Sequence, residues 1–174
     1  MKSEPDQVDH IIESWADVKP GLDVTPMHVF SRLHRNFLLY RKQINDLFEE
    51  LGTSASGFEV MAALRRQPDF RAAAGDLAQS TLVTTGGLTL RVRRLEADGL
   101  VSRTRDTRDN RVVHVQLTDK GIELVDRVAE LHFANLDRLL VGLSDTERAG
   151  LAKGLGKLEQ SIHRAEPDAQ VQDA

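Results

Sequence analysis

Apolar residues recur every three or four positions along most of the chain, a period that predicts a mainly α-helical protein. The first helix is predicted over residues 8–18 and ends at Pro20-Gly21. The second begins at Thr25-Pro26, where Thr25 is expected to be the N-cap and Pro26 the first helical residue. Its apolar positions form one seam over about 25 residues: Met27, Phe30, Leu33, Phe37, Tyr40, Ile44, Leu47 and Leu51. Because a helix of this length extends beyond the core of a small domain, we expect it to pack against a partner as well.

Three shorter helices are predicted after Gly52. Ser54 or Ser56 is placed to cap the first of them, which ends at Pro68. The second is predicted over residues 72–79 and the third over residues 84–98, where Gly99 supplies a left-handed C-cap. The inward-facing residues of the three helices are expected to be Phe58, Met61, Leu64, Leu77, Leu88, Val92 and Leu95.

The helical period breaks at residues 100–105 and 111–117, where β-branched residues partly alternate with polar ones. This pattern predicts two strands joined by a polar turn, DTRDN. Thr118 is then expected to cap a second long helix, and Ser144 and Glu147 form a capping box for the last one. From Glu166 onwards the chain has no apolar pattern, so a disordered tail is expected.

The predicted order of elements is helix, long helix, three short helices, hairpin, long helix and helix. Three short helices followed by a hairpin are typical of a winged helix-turn-helix, so the predicted fold is mainly α with a small β-hairpin wing. We divide the chain into N-terminal helices (1–50), a winged helix-turn-helix (53–118), C-terminal helices (119–164) and a tail (165–174).

The helix predicted over residues 84–98 begins with weak helix formers. Glycine costs about 1 kcal/mol relative to alanine inside a helix, and threonine is also unfavourable. In a winged helix-turn-helix this is the recognition helix, whose N-terminal end enters the major groove. Small residues there let the backbone approach DNA, and bare N–H groups attract phosphate. The residues of this helix predicted to contact DNA are Thr84, Thr85, Gly86, Thr89 and Arg93. An alternative is a fraying first turn that packs tightly on the preceding helix.

The distribution of charge supports a DNA-binding surface more than the net charge does. The net charge of −4 argues weakly against a nucleic-acid partner, but residues 82–117 carry +3, which leaves −7 for the rest of the chain. A basic segment on an acidic body suits a surface that meets phosphates, although a solvated charged face would also explain it. In the predicted wing, Arg108 and Arg111 are expected to reach the minor groove. Asp109 is expected to hold an arginine guanidinium in one orientation.

Several function classes lack their sequence signatures. The chain has no cysteine, which excludes disulfides and thiolate chemistry. The N-terminal residues MKSEPDQVDH are polar and acidic, so we expect no secretory signal and a cytoplasmic protein. Neither a G-x-S-x-G elbow nor a P-loop is present, and the six histidines form no H-E-x-x-H pair. We therefore expect no enzyme activity, no cofactor and no metal site.

Residues 76–121 resemble the winged-helix core of MarR-type transcription regulators. The resemblance is carried by RLEADGLV at the end of the recognition helix, by the wing RDTRDNR and by LTDKG, and it extends over roughly residues 8–163. It implies a homodimer with intertwined terminal helices, which binds a pseudo-palindromic operator in double-stranded DNA and is released by a small ligand. Asn110 stands where many members have a second arginine, so we expect weaker attraction between the wing tip and phosphate.

Residues 14–35 resemble the subgroup with an added first helix, which responds to urate or to related small anions such as aconitate. This resemblance implies a ligand pocket formed by Trp15, Glu59, Arg91 and Arg103. Glu59 stands where an aspartate is usual, which leaves the size of the pocket and the ligand open. Trp15 would supply a flat apolar wall and the arginines a planar fork for an anion. Plain helix packing by Trp15 and a structural ion pair at Glu59 are the alternatives.

These observations predict a ligand-responsive, dimeric DNA-binding regulator, most simply a repressor. The first alternative is a DNA-binding regulator with no small effector or with a neutral phenolic ligand. A second alternative is a winged helix used only for contact with another protein. The ligand, the operator and the regulated genes are not encoded in these patterns.

Overall fold

The computed structural model describes residues 4–80, 85–107, 109 and 111–165, and its elements match the predicted mainly helical class. They are α1 (Gln7–Val18), α2 (Met27–Glu50), α3 (Ala55–Arg65), β1 (Arg71–Ala73), α4 (Ala74–Ser80), α5 (Thr85–Ala97), β2 (Val101–Arg105), β3 (Val113–Leu117), α6 (Asp119–Leu139) and α7 (Asp145–Ala165). A short 3-10 turn, Pro68–Phe70, joins α3 to β1. Ala165, the first residue of the predicted tail, is the last residue of α7, and the rest of the tail lies outside the described residues.

Three of the predicted helix caps are confirmed. The Ser54 hydroxyl accepts a hydrogen bond from the Gly57 backbone N–H at 3.1 Å, at the start of α3. The Thr118 hydroxyl accepts one from Gly121 at 3.1 Å, at the start of α6. Before α7, the Ser144 N–H donates to the Glu147 carboxylate at 2.8 Å and the Glu147 N–H donates back to the Ser144 hydroxyl at 3.4 Å. Short side chains therefore satisfy backbone donors that these helices leave unpaired.

The prediction that Thr25 is the N-cap of α2 is wrong by one residue. Pro26 holds that position, with no side-chain cap. The first helical N–H groups donate to backbone carbonyls of the preceding turn, from Met27 to Val24 at 2.9 Å and from His28 to Thr25 at 3.1 Å. Because the turn supplies these acceptors, the Thr25 side chain is not needed as a cap.

The helix predicted over residues 72–79 begins later, at Ala74, because Ala72 and Ala73 belong to β1. This strand pairs antiparallel with β3, with Ala72 opposite Val115. On its other side β3 pairs with β2, which gives the order β1-β3-β2. Alanine has no local preference for strands, so the edge of β3 imposes this conformation through backbone hydrogen bonds.

The chain divides into two compact units, Met1–Ala129 and Glu130–Ala174, with the boundary inside α6. The core of the first unit is formed by α3, α4, α5, the sheet and the first half of α6. Six of the seven predicted inward-facing side chains are at most 4 % exposed: Met61, Leu64, Leu77, Leu88, Val92 and Leu95. The seventh, Phe58, is partly buried and packs against this core. Arg65 of α3 fastens the first half of α6 through hydrogen bonds to Asp126 at 2.8 and 3.1 Å.

In the second unit, Arg148 connects α7 to the end of α6. Its guanidinium donates to the Asp137 carboxylate at 2.9 Å and to the carbonyls of Leu140 and Leu143 at 3.0 and 3.1 Å. The described part of α7 has no buried residue. Its apolar positions Leu151 and Leu155 are 50 % and 45 % exposed, so this helix presents an uncovered apolar stripe.

Gly121 fixes the start of α6 against the backbone of Leu100. A Cβ at Gly121 would lie 2.0 Å from the Leu100 carbonyl oxygen, which also accepts a hydrogen bond from the Thr118 N–H at 3.1 Å. We expect Gly121→Ala to lower the free energy of unfolding by about 1–3 kcal/mol, because the backbone must shift to admit the methyl group. Urea denaturation measures this change. The control is Gly75→Ala in α4, where an added Cβ meets nothing within 4 Å; equal losses in the two variants would contradict the expectation.

Candidate nucleic-acid interface and ligand site

Helix α5 is anchored by one face and exposes the opposite one. Leu88, Val92 and Leu95 are buried in the core, whereas Leu90 is 71 % exposed. Of the residues predicted to contact DNA, Thr89 and Arg93 lie on α5 and have exposed side chains. Thr85 and Gly86 lie in the first turn of the described helix, which is Thr85–Ala97. Thr84 lies outside the described residues.

Two aspartates hold the backbone of the turn between β2 and β3. The Asp106 carboxylate accepts a hydrogen bond from the Asp109 N–H at 3.1 Å, and its other oxygen lies 3.1 Å from His114 Nε2. The Asp109 carboxylate accepts one from the Arg111 N–H at 2.9 Å, and the Val112 N–H donates to the Asp109 carbonyl at 2.9 Å. This turn presents the exposed Arg111 from a fixed backbone.

The contact made by Asp109 differs from the predicted one. We expected its carboxylate to orient an arginine guanidinium, and the described contact is instead with the backbone N–H of Arg111. Asp109 is two residues before Arg111, and this spacing is typical of an Asx turn, in which a carboxylate bonds the backbone ahead of it. Arg108 lies outside the described residues. The wing is therefore pre-organised through its backbone.

Arg103 of β2 is paired with Glu96 of α5. Its Nε donates to the Glu96 carboxylate at 2.7 Å. This hydrogen bond lowers the pKa of Glu96 and raises the pKa of Arg103, since each group stabilises the charged form of the other. The pair connects α5 to β2. The Arg103 guanidinium, which the family resemblance implies as a ligand contact, is therefore bound to Glu96 in this structure.

A cavity of about 720 Å³ lies between α5 and the turn that joins α2 to α3. Arg91 lines it, and its guanidinium nitrogen Nη1 is buried with no hydrogen-bond partner among the described residues. Arg94 also lines the cavity, together with Leu90 and with hydroxyl groups of the turn. The remaining lining residues are Glu49, Gly52, Thr53, Ser54, Ser56, Gly57, Gly87, Leu95, Asp98 and Leu100.

The four residues predicted to form the ligand pocket do not all line this cavity. Arg91 does, and Trp15, Glu59 and Arg103 do not. Glu96, the partner of Arg103, follows Arg91 by five positions, which places it about 140° away around the helix axis. Arg91 and Arg103 are thus directed to different flanks of α5. Trp15 is 40 % exposed on α1, and Glu59 is half-buried on α3.

Sequence reasoning missed the contribution of the α2–α3 turn to this cavity. The cluster of small polar residues TSAS was interpreted only as a source of a helix cap, and Ser54 does cap α3. A second signal was available, since Arg94 follows Arg91 by three positions and so lies near it along the helix. The pairing of His114 with Asp106 was also missed, because the two residues lie in different parts of the hairpin.

Helix α1 is fastened to α2 by Arg32. Its guanidinium donates to the Asp6 carboxylate at 3.0 Å and to the Asp9 carboxylate at 2.7 Å. The pKa of Asp9 is lowered, mainly by its hydrogen bond from the backbone N–H of Asp6 and to a smaller extent by Arg32. The outer faces of the two helices are strongly apolar and exposed: Ile11, Trp15, Val18, Val29, Phe30, Leu33, Phe37, Leu38, Leu39 and Tyr40.

Among the described residues, no helix is both long enough and apolar enough to span a membrane. Within the same part of the chain, no group of three or more histidine, cysteine, aspartate or glutamate side chains is placed to hold a metal ion.

Comparison with known proteins identifies the family. A family model described as transcriptional regulator SarA/Rot matches residues 44–128. The HTH-type transcriptional regulator PecS of Dickeya dadantii (strain 3937) is 32% identical over 157 residues, which cover 90% of this chain and 95% of PecS. The HTH-type transcriptional repressor YetL of Bacillus subtilis (strain 168) is 27% identical over 88% of this chain and 91% of YetL.

Among solved structures, a mutant MarR from E. coli complexed with operator DNA has a TM-score of 0.67. It is 25% identical, and the alignment covers 79% of this chain and 99% of that one. PecS and YetL are HTH-type transcriptional regulators rather than enzymes, and the operator-bound MarR shares the fold of this chain. The chain therefore belongs to the MarR family of winged helix-turn-helix, DNA-binding transcriptional regulators.

Proposed function

We propose that this protein is a cytoplasmic, homodimeric repressor that binds a pseudo-palindromic DNA operator and leaves it when a small anionic ligand binds. The observation that carries the proposal is the exposed surface of α5, where Thr89 and Arg93 are exposed while Leu88 and Val92 hold the helix in the core. A helix held in this way can enter the major groove without disturbing the core. Two proteins similar to this chain support the proposal: YetL is a transcriptional repressor, and the mutant MarR is bound to operator DNA.

The exposed apolar faces support the homodimer. The outer faces of α1 and α2 carry contiguous exposed apolar residues, and so does the stripe on α7. A monomer normally exposes apolar residues singly rather than in such patches. Long helices with one uncovered apolar face are stabilised when a second copy covers it. Two copies related by a two-fold axis would place their α5 helices on successive half-sites of a palindrome.

The DNA-binding part of the proposal is tested by measuring affinity for the DNA upstream of the coding sequence at several salt concentrations. We expect affinity to fall steeply as salt rises, because phosphate contacts release counterions. Arg111→Ala should weaken binding to all sequences by a similar factor and reduce the salt slope by about 2, because a dimer carries the substitution twice. The control is Arg127→Ala, which removes one exposed arginine from α6. An unchanged affinity and slope in Arg111→Ala would remove the wing from the interface.

We infer that the ligand is a small anion, either a urate-like oxo-purine or a carboxylate, held by Arg91. A buried guanidinium nitrogen without a partner is costly, and an anion in the adjoining cavity would satisfy it. Because Arg91 lies on α5, a ligand that binds it acts directly on the helix that meets DNA. Trp15, Glu59 and Arg103 remain proposed ligand residues, and their participation requires that Arg103 exchange Glu96 for the ligand.

Arg91→Gln should raise the anion concentration needed for half-release of DNA by about tenfold or more, because a charged hydrogen bond is lost. The measurement is a titration of the protein–DNA complex with urate, xanthine and aconitate. Arg66→Gln, at an exposed position just after α3, is the matched control. The fluorescence of Trp15, the only tryptophan, reports separately on whether α1 takes part. Release by neutral phenols, with no response to any of the anions, would favour the alternative ligand class.

A further inference from the structure

Leu90 is an apolar side chain on the face of α5 that points away from the core. It is 71 % exposed, whereas Leu88, Val92 and Leu95 are at most 4 % exposed. At 3.6 residues per turn, Leu90 is separated from Leu88 and from Val92 by about 160° and from Leu95 by about 140°. Leu90 also borders the cavity between α5 and the α2–α3 turn, and most of its side chain remains exposed there.

Cationic side chains flank Leu90 on both sides. Arg93 and Arg94 lie about 60° and 40° from it around the helix axis, one turn towards the C-terminus, and both are exposed. An apolar partner surface would have to desolvate these two guanidinium groups, which is costly. A polyanionic partner would instead pair with them, so the charge around Leu90 favours a nucleic acid as the molecule that covers it.

The major groove offers hydrogen-bonding base edges and one apolar group, the C5-methyl of thymine. Leucine has no donor or acceptor, so placing it against a polar base edge would leave that edge unsatisfied. Contact with a thymine methyl carries no such cost. We propose that Leu90 is a specificity-determining residue that packs on the C5-methyl group of one thymine in each half-site. This proposal rests on the proposed function, in which α5 reads the major groove.

The contribution of the contact follows from the size of the group. Burying one methyl-sized group changes an affinity by about fourfold. A dimer that makes the contact in both half-sites would therefore lose about 15-fold when both methyl groups are removed. An effect of this size is measurable and small enough to leave binding intact.

Uracil scanning tests the contact, because uracil differs from thymine only by the missing methyl group. High-affinity duplexes are first selected from a random pool with the wild-type protein. Each thymine pair related by the palindrome is then replaced by uracil, and affinities are measured by fluorescence anisotropy. We expect a loss of about 15-fold at one position and little change elsewhere. In Leu90→Ala the loss at that position should fall below about twofold, whereas Leu90→Met should retain it.

The outcomes separate this proposal from the proposed function. If the wild type selects DNA but tolerates uracil throughout, α5 still binds DNA and the methyl contact is refuted. If Leu90→Ala keeps the full uracil effect and Thr89→Ser abolishes it, the contact belongs to Thr89 and the proposal for Leu90 is overturned. If the wild type selects no DNA at all, both proposals fail. Because Leu90 is mostly exposed, its variants should keep the circular dichroism spectrum of the wild type.

Discussion

The double substitution Leu151→Asp/Leu155→Asp is expected to convert the protein from a dimer to a monomer. Both leucines lie on the apolar stripe of α7, which is 21 residues long and has no buried residue. Covering one leucine fully contributes about 1.5–3 kcal/mol, and a symmetric dimer would cover four of them. Aspartates at these positions would also bring like charges together in the interface. Size-exclusion chromatography with light scattering measures the change in mass.

A monomer should also lose most of its affinity for DNA. A dimer binds its second half-site as an intramolecular step, which raises affinity by about 10²–10⁴ relative to one half-site. We therefore expect the affinity of the double variant for operator DNA to fall by at least about 100-fold. The matched control is Ala149→Asp/Gln160→Asp, which adds the same two negative charges at exposed positions on the side of α7 away from the stripe. A double leucine variant that remained a dimer would show that α7 does not form the interface.

The elements that could be predicted from the sequence are those set by local chemistry. The 3.6-residue period gave the helices and their inward faces, since Met61, Leu77 and Leu88 are each buried as expected. Caps followed from side chains that bond the backbone two or three residues away, as Ser54 and Thr118 do. These contacts lie within one turn of chain, so the residues that form them are adjacent in the sequence.

The features that could not be predicted depend on contacts between distant residues. β1 exists because Ala72 pairs with Val115, which lies more than 40 positions later. No local preference of Arg71, Ala72 and Ala73 signals this pairing. The end of the 3-10 turn was also not predicted, because Phe70 has a positive φ of 54° although it is not a glycine.

The surroundings of the arginines in the basic segment also could not be predicted from the sequence. In the sequence Arg91, Arg93 and Arg103 are equivalent positive charges between residues 82 and 117. In the structure they have three different surroundings: Arg93 is exposed, Arg103 is paired with Glu96, and Arg91 lines a cavity and has one buried guanidinium nitrogen. Only the packing of α5 between β2 and the α2–α3 turn distinguishes a charge that can meet DNA from one that can meet a ligand.

Arg93→Glu is expected to lower affinity for operator DNA by at least about 100-fold. Arg93 is exposed on the face of α5 opposite the core, where its fork can bind phosphate or a guanine edge. The change removes this contact and places a carboxylate against the phosphates, and a dimer carries it twice. Arg127→Glu, on an exposed part of α6, changes the net charge equally and should have a much smaller effect. Fluorescence anisotropy with labelled operator DNA compares the two variants.

Arg93→Lys then separates the two kinds of contact. Lysine keeps the charge and loses the planar fork, so it should preserve most of the affinity if Arg93 binds phosphate. If Arg93 binds a guanine edge in a bidentate way, lysine should instead relax the preference at one base pair of the half-site. Equal losses in Arg93→Glu and Arg127→Glu would mean that only the net charge of the protein matters. In that case α5 would not be the element that reads the operator.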